Sequence, residues 1–173
     1  MNNNELVLGA IIAALTVIGA QLSIFVGEVP LTFQLVGVAL AGMALRPRVA
    51  FMSMLAYMAL GLVGVPVFAG FRGGVGIVLG PTGGFILSMP VAAVAVSLVS
   101  TCSCLPEGRW GRILAGMVTI PIMYLFGSLQ MAWVLNWRWT VAIIYTLQFL
   151  IFDILKVLLA ATMARLMARM LPR

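Results

Sequence analysis

Histidine is absent from the 173 residues, lysine occurs once, and Asp and Glu together number four. Without histidine, and with Asp153 as the one acidic residue inside the apolar stretches, the chain is short of general acids and bases. It also offers no metal-ligand set, so no catalytic residue, metal or cofactor is expected. The single lysine, Lys156, stands inside an apolar run and not behind a glycine-rich turn. That excludes a Walker A phosphate loop, and with it ATP hydrolysis by this chain alone. Gly74-Val75-Gly76-Ile77-Val78-Leu79-Gly80 has the wrong spacing for a dinucleotide loop. Cys102 and Cys104 are too close to staple a fold and are expected to be a short, reduced juxtamembrane feature. Charge of either sign is scarce: 8% of residues are charged and 64% are hydrophobic, against about one-quarter charged in a soluble domain. Such a chain cannot cover itself with polar surface, so most of its exterior must face lipid.

The apolar residues fall into six runs, which predict an all-α integral membrane protein of one domain, residues 1–173, with six transmembrane helices. The expected spans are about Leu6 to Val26, Leu31 to Leu45, Val49 to Val65, Phe85 to Thr101, Ile113 to Leu135 and Thr140 to Met167. The first is too long, and its front end too poor in basic residues, for a signal peptide. The second is short for the ~30 Å hydrocarbon core at ~1.5 Å per residue, which hints at a cavity above it. A net charge of +6 does not point to nucleic acid, because the arginines sit in the links between apolar runs. Arg46, Arg48, Arg109, Arg112, Arg165, Arg169 and Arg173 fall on one side, against Arg72 and Arg138 on the other. The positive-inside rule then places both termini in the cytoplasm and the links after helices one, three and five outside.

The link from Pro66 to Gly84 is long, glycine-rich and apolar, with Phe68, Phe71, Val75 and Ile77 between its glycines. Irregular apolar backbone at a membrane is tolerated where it is buried in protein or lines a cavity, so this outer loop reads as a lid or wall over a ligand pocket. Asp153 and Lys156 are three residues apart, on one face of helix six. Ionisable groups at that depth cost about 2.5 kcal/mol or more each and mark a site or a self-neutralising structural pair. Gln34, near the outer end of helix two, either binds ligand or bonds another helix. Arg72 in the loop either meets an anionic ligand group or is a solvated charge. Small residues spaced by four, Ala10 and Ala14 in helix one and Ala160 and Ala164 in helix six, make strips for close helix packing. Trp133, Trp137 and Trp139 read as an interfacial belt.

Val29-Pro30-Leu31-Thr32-Phe33-Gln34, then Leu60-Gly61-Leu62-Val63-Gly64-Val65-Pro66-Val67-Phe68-Ala69-Gly70, then Gly80-Pro81-Thr82-Gly83-Gly84 closely resemble the BioY family in order and spacing. Members of that family are biotin-specific substrate-binding (S) components of energy-coupling factor (ECF) transporters, and the resemblance covers nearly the whole chain. It implies a six-helix fold in the bacterial inner membrane. Biotin is captured from outside between the glycine-rich loop, the link after helix one and the outer halves of helices four to six, and the loop then closes. The substrate-binding residues implied are Asp153, Lys156, Arg72, Gln34, Phe68 and Gly70, with backbone groups serving around Gly70. The ureido ring of biotin has two N–H donors and one carbonyl acceptor, which match Asp153 and Lys156. Its carboxylate needs a cation, either Arg72 or Lys156. Also implied as partners are a transmembrane coupling protein and two ABC ATPases, with Ala10 and Ala14 as the contact surface for the coupling protein. A stand-alone or homo-oligomeric biotin carrier, and a structural subunit that binds no small molecule, are the alternatives.

Overall fold

The fold is that of a computed structural model, which describes residues 3–102, 105–106 and 108–170, the side chains of Val26, Arg169 and Met170 excepted. Cys104 and Arg173, given roles above, lie outside the described residues. Helix α1 (Asn3–Gln21) is followed by strands β1 (Ser23–Val26) and β2 (Val29–Thr32), then α2 (Gln34–Ala44), α3 (Pro47–Leu62), α4 (Val75–Leu79), α5 (Gly83–Ser100), α6 (Arg109–Met117), α7 (Thr119–Val134), α8 (Trp139–Leu147) and α9 (Leu150–Met170). Among the described residues, three helical stretches are long and apolar enough to cross a membrane: α1, α5 and the run of α6 and α7. A fourth forms if α8 and α9, bent by 55° at their junction, count as one span; α2 and α3 are apolar but shorter.

The all-α expectation needs one correction. Helix one does not run to Val26: it stops at Gln21, and residues 23–32 form an antiparallel hairpin with Val26 opposite Val29. Ser23-Ile24-Phe25-Val26 is β-branched and aromatic, and Gly27 supplies a left-handed turn at φ 61°. Arg46-Pro47 resets the chain between α2 and α3, because the residue before proline prefers extended backbone and proline suits the first helical turn. The expected fifth helix is stepped at Val118. Pro121 has no amide hydrogen for the carbonyl four residues earlier, Met117, so the ladder is interrupted there. Cys102 is disulfide-bonded, which corrects the expectation that it is reduced.

Helix α2 is the hub. Every residue from Gln34 to Met43 is buried, and α1, α3, α5 and α9 pack around it. An apolar helix hidden on all sides needs no amphipathic stripe. At ~1.5 Å per residue its eleven residues rise only ~16 Å, about half of a ~30 Å hydrocarbon core. Close approach to it depends on glycine: at Gly37 a side chain would collide with Thr16 of α1, and at Gly42 with Ala93 and Val96 of α5. An ion pair of 3.1 Å between Glu5 and Arg46 puts the start of α1 and the α2–α3 turn at the same end of the bundle. The hairpin and the Pro66–Gly84 segment meet at the opposite end, where Gln21 bonds to the backbone of Phe68 and Phe71.

Packing of α5 on α7 is equally tight, since a Cβ at Gly84 would lie 2.8 Å from the backbone carbon of Phe126 and 3.0 Å from Cβ of Gln130. Gly84→Ala is therefore expected to cost about 1–3 kcal/mol through overpacking. Gly76→Ala, where a Cβ meets nothing within 4 Å, is expected to be near neutral. Thermal unfolding of the detergent-solubilised protein checks the contrast.

Candidate functional site

At the N-terminal end of α2, between the hairpin and the glycine-rich loop, lies a cavity of about 320 Å³. The hairpin walls one side with Phe25 and residues 27–32, and the loop walls another with Phe68, Ala69, Arg72, Gly76, Ile77 and Gly80. Phe85, Ile86 and Met89 of α5, Met123 and Tyr124 of α7, and Phe149, Asp153 and Lys156 from the last helical pair complete it. Most of these side chains are apolar; apart from Glu28 of the hairpin and Thr82 of the loop, the polar ones gather in three places.

The deepest is on α9. Lys156 Nζ donates to Asp153 Oδ1 at 2.6 Å, and the Tyr124 hydroxyl donates to Asp153 Oδ2 at 2.7 Å. Both charged residues are only 6% exposed. Neighbouring helical turns place the two charges on one face, and their mutual neutralisation lets them stay buried among apolar helices. One of the three N–H donors of the ammonium goes to Asp153, which leaves two for a ligand, and the carboxylate has lone pairs beyond the two already engaged. The arrangement can therefore take a neutral polar group needing both a donor and an acceptor, or an anionic group on the lysine side.

A second group surrounds Gln34. Its Oε1 accepts from the Thr32 hydroxyl at 2.9 Å, its Nε2 donates to the Tyr57 hydroxyl, and that hydroxyl donates to Val67 O at 3.0 Å. Gln34 thus ties α2 to α3 and to the loop while also lining the cavity. The third is Arg72, exposed at the rim, with its guanidinium carbon 4.8 Å from the centre of the Phe25 ring. This cation–π contact joins loop to hairpin. Phe68, 1% exposed, sits edge-on to Tyr57 at 5.8 Å and exchanges backbone hydrogen bonds with Arg72.

Of the residues expected at a ligand site, Asp153, Lys156, Arg72, Gln34 and Phe68 all line the cavity. Gly70 does not: it occupies a left-handed turn at φ 70° with the Phe25 ring beside it, and what it provides is clearance for that ring. Tyr124 was not foreseen, because a tyrosine in an apolar helix carries no pattern that separates a cavity ligand from a packing residue. Also unforeseen was the hairpin, which supplies a whole wall. Ala10 and Ala14 lie elsewhere, exposed on the outer face of α1.

The sequence signature of the BioY family matches residues 1–173. A relative named "Probable biotin transporter BioY" from Pyrococcus horikoshii is 39% identical over 165 residues, 95% of this chain and 96% of the relative. "Biotin transporter BioY" of Rhizobium etli is 32% identical over 175 residues, 95% and 93% of the two chains. Among solved structures, the S-component for biotin from an ECF-type ABC transporter matches with a TM-score of 0.87, covering 98% of this chain and 95% of that one at 24% identity. That likeness establishes a shared fold.

Removing one partner of a buried ion pair leaves an uncompensated charge, so Lys156→Met alone is expected to destabilise the protein by about 3–5 kcal/mol. The Asp153→Asn, Lys156→Met double variant is expected to lose less than the sum of the singles. A double-mutant cycle on thermal or denaturant unfolding measures that coupling.

Proposed function

This chain belongs to the BioY family, and from that premise we propose that it is a membrane protein of biotin uptake, the subunit that binds biotin within an ECF-type ABC transporter. It is a transport subunit and not an enzyme. One observation carries the assignment: a mostly apolar cavity with a buried donor–acceptor pair, Lys156 and Asp153, in its wall. Biotin has a matching division of chemistry, a ureido ring with N–H donors and a carbonyl, a thioether ring and an aliphatic tail. The cavity volume, about 320 Å³, falls at the small end of the ~300–1,000 Å³ usual for ligand pockets.

In this reading the ureido group meets Asp153, Lys156 and Tyr124, while Gln34 and Phe68 flank the bicyclic ring. The carboxylate then pairs with Arg72 at the rim; in the reversed pose Lys156 would take it. Counting α2, α3, the α6–α7 run and the α8–α9 pair as one span each, beside α1 and α5, gives six crossings. Both termini are then cytoplasmic, in the inner membrane of the cell, and the loop and hairpin face outward. The Glu5–Arg46 pair supports this by putting the start of α1 at the same end as the arginine-rich α2–α3 turn.

Energy has to come from elsewhere, because the single lysine leaves no Walker A loop. A transmembrane coupling protein and two ABC ATPases supply it, and the exposed Ala10 and Ala14 let the coupling protein approach α1 closely. Uptake by vesicles that hold this chain alone would instead mark a stand-alone or homo-oligomeric carrier.

Calorimetric titration of biotin into the purified protein tests the ligand. Wild type is expected to bind, and Asp153→Asn and Lys156→Ala are each expected to weaken binding by about 30-fold or more, the ~2 kcal/mol of a charged hydrogen bond. A folded wild type that ignores biotin refutes the assignment. Ala10→Trp and Ala14→Trp are expected to leave biotin affinity unchanged while blocking co-purification of the coupling protein, which pull-down measures.

A further inference from the structure

Between α3 and α5 the chain runs from Val63 to Thr82 with only two polar side chains of its own, Arg72 and Thr82. Most of this backbone is irregular, so its carbonyl and amide groups need partners from other elements. The end of α3 supplies some, with the Tyr57 hydroxyl on Val67 O and the Gly74 amide on Gly61 O, and two glutamines supply five more. Gln21, at the end of α1, donates from Nε2 to Phe68 O at 3.3 Å and Pro66 O at 3.5 Å, and its Oε1 accepts from the Phe71 amide at 2.8 Å. Gln130, on α7, donates from Nε2 to Val78 O at 2.7 Å and Gly80 O at 2.9 Å. The Gln130 carboxamide passes over Gly83 in the space where a Cβ would otherwise stand. Neither glutamine lines the cavity. The residues they hold, or the immediate neighbours of those residues, do line it: Phe68, Ala69 and Arg72 near Gln21, and Ile77 and Gly80 near Gln130.

We infer that Gln21 and Gln130 are positioning residues that clamp the two halves of the glycine-rich segment, so that it serves as a fixed wall of the ligand cavity and not as a lid that swings closed. This rests on the reading of the cavity as a biotin site only for its effect on ligand exchange. The clamp itself is a property of the protein without ligand. Each carboxamide closes a bidentate or tridentate contact, and loss of either loosens the stretch it holds, while the Tyr57–Val67 and Gly74–Gly61 bonds keep the segment attached between them.

Arg72, the one tryptic site within the segment, reports that motion directly. Gln21→Met and Gln130→Met keep side-chain length and remove every hydrogen bond; Gln148→Met, on an exposed glutamine at the α8–α9 bend, is the control. In detergent and without biotin, cleavage at Arg72–Gly73 is expected to rise roughly tenfold in each clamp variant and to stay within about twofold in the control. Biotin dissociation is expected to accelerate roughly fivefold or more, with association little changed. Cleavage at the wild-type rate in both variants overturns the inference, whatever biotin does. Accelerated cleavage in variants of a protein that binds no biotin supports the clamp and refutes the biotin reading. Should either methionine variant fail to fold, Gln130→Glu keeps the shape while facing two carbonyls with acceptors only, and it must open the segment at least as far.

Discussion

In lipid no water completes an unfinished backbone hydrogen bond, and the hairpin, the α8–α9 bend and the glycine-rich segment each find partners for groups they free. The hairpin closes its own ladder from Ser23–Thr32 to Val26–Val29. Its tip and its exit are also tied down, by the Glu28 amide on the Tyr145 hydroxyl and the Phe33 amide on Gly19 O. At the α8–α9 bend the Phe149 amide turns back to Thr146 O, and regular bonding resumes when the Asp153 amide reaches Phe149 O. The glycine-rich segment borrows from Gln21, Tyr57 and Gln130. Cavity walls made of irregular backbone are possible here because side chains from the helices finish that backbone's hydrogen bonding.

A second consequence of low dielectric is that charge enters the interior as a neutral set. Asp153 and Lys156 satisfy one another, and Tyr124 engages the second carboxylate oxygen. Such a pair contributes little to stability over an apolar substitute. What it offers is a polar patch in the cavity wall, held by three side chains of α7 and α9 and already satisfied among themselves.

Charged residues inside apolar runs are rare enough to be read directly, which is why Asp153 and Lys156 stand out in the sequence as a pair and Arg72 as the cation of the glycine-rich segment; the structure brings all three to one cavity. The spans were legible as apolar runs, but their breaks were not. Residues 22–26 are as apolar as a helix end, and only the turn at Gly27 and the pairing partner across it decide for strand. Gly70, named with the site residues, is absent from the cavity lining and sits in a left-handed turn beside the Phe25 ring. Gln21 and Gln130 left no trace at all, since a glutamine that donates to distant backbone has no sequence spacing to betray it. What stayed hidden is what depends on partners far along the chain: Gln130 and Val78, Tyr124 and Asp153, Tyr145 and Glu28.

The position of the cavity follows from α2. Because that helix is buried on every side, its length sets how far the core extends, and beyond Gln34 no helix of the bundle centre continues outward. Neighbouring helices do continue past that level, so a vault remains above α2 that only connecting segments can roof. One roof is the hairpin, which descends directly into α2 through Thr32 and Phe33; the other is the clamped segment, which α3 and α5 suspend from the opposite side. Their meeting point is Phe25 against Arg72 and Gly70. If Gln21 and Gln130 fix the second roof, the hairpin, tied at its tip to Tyr145 and at its exit to Gly19, meets a fixed edge at Phe25.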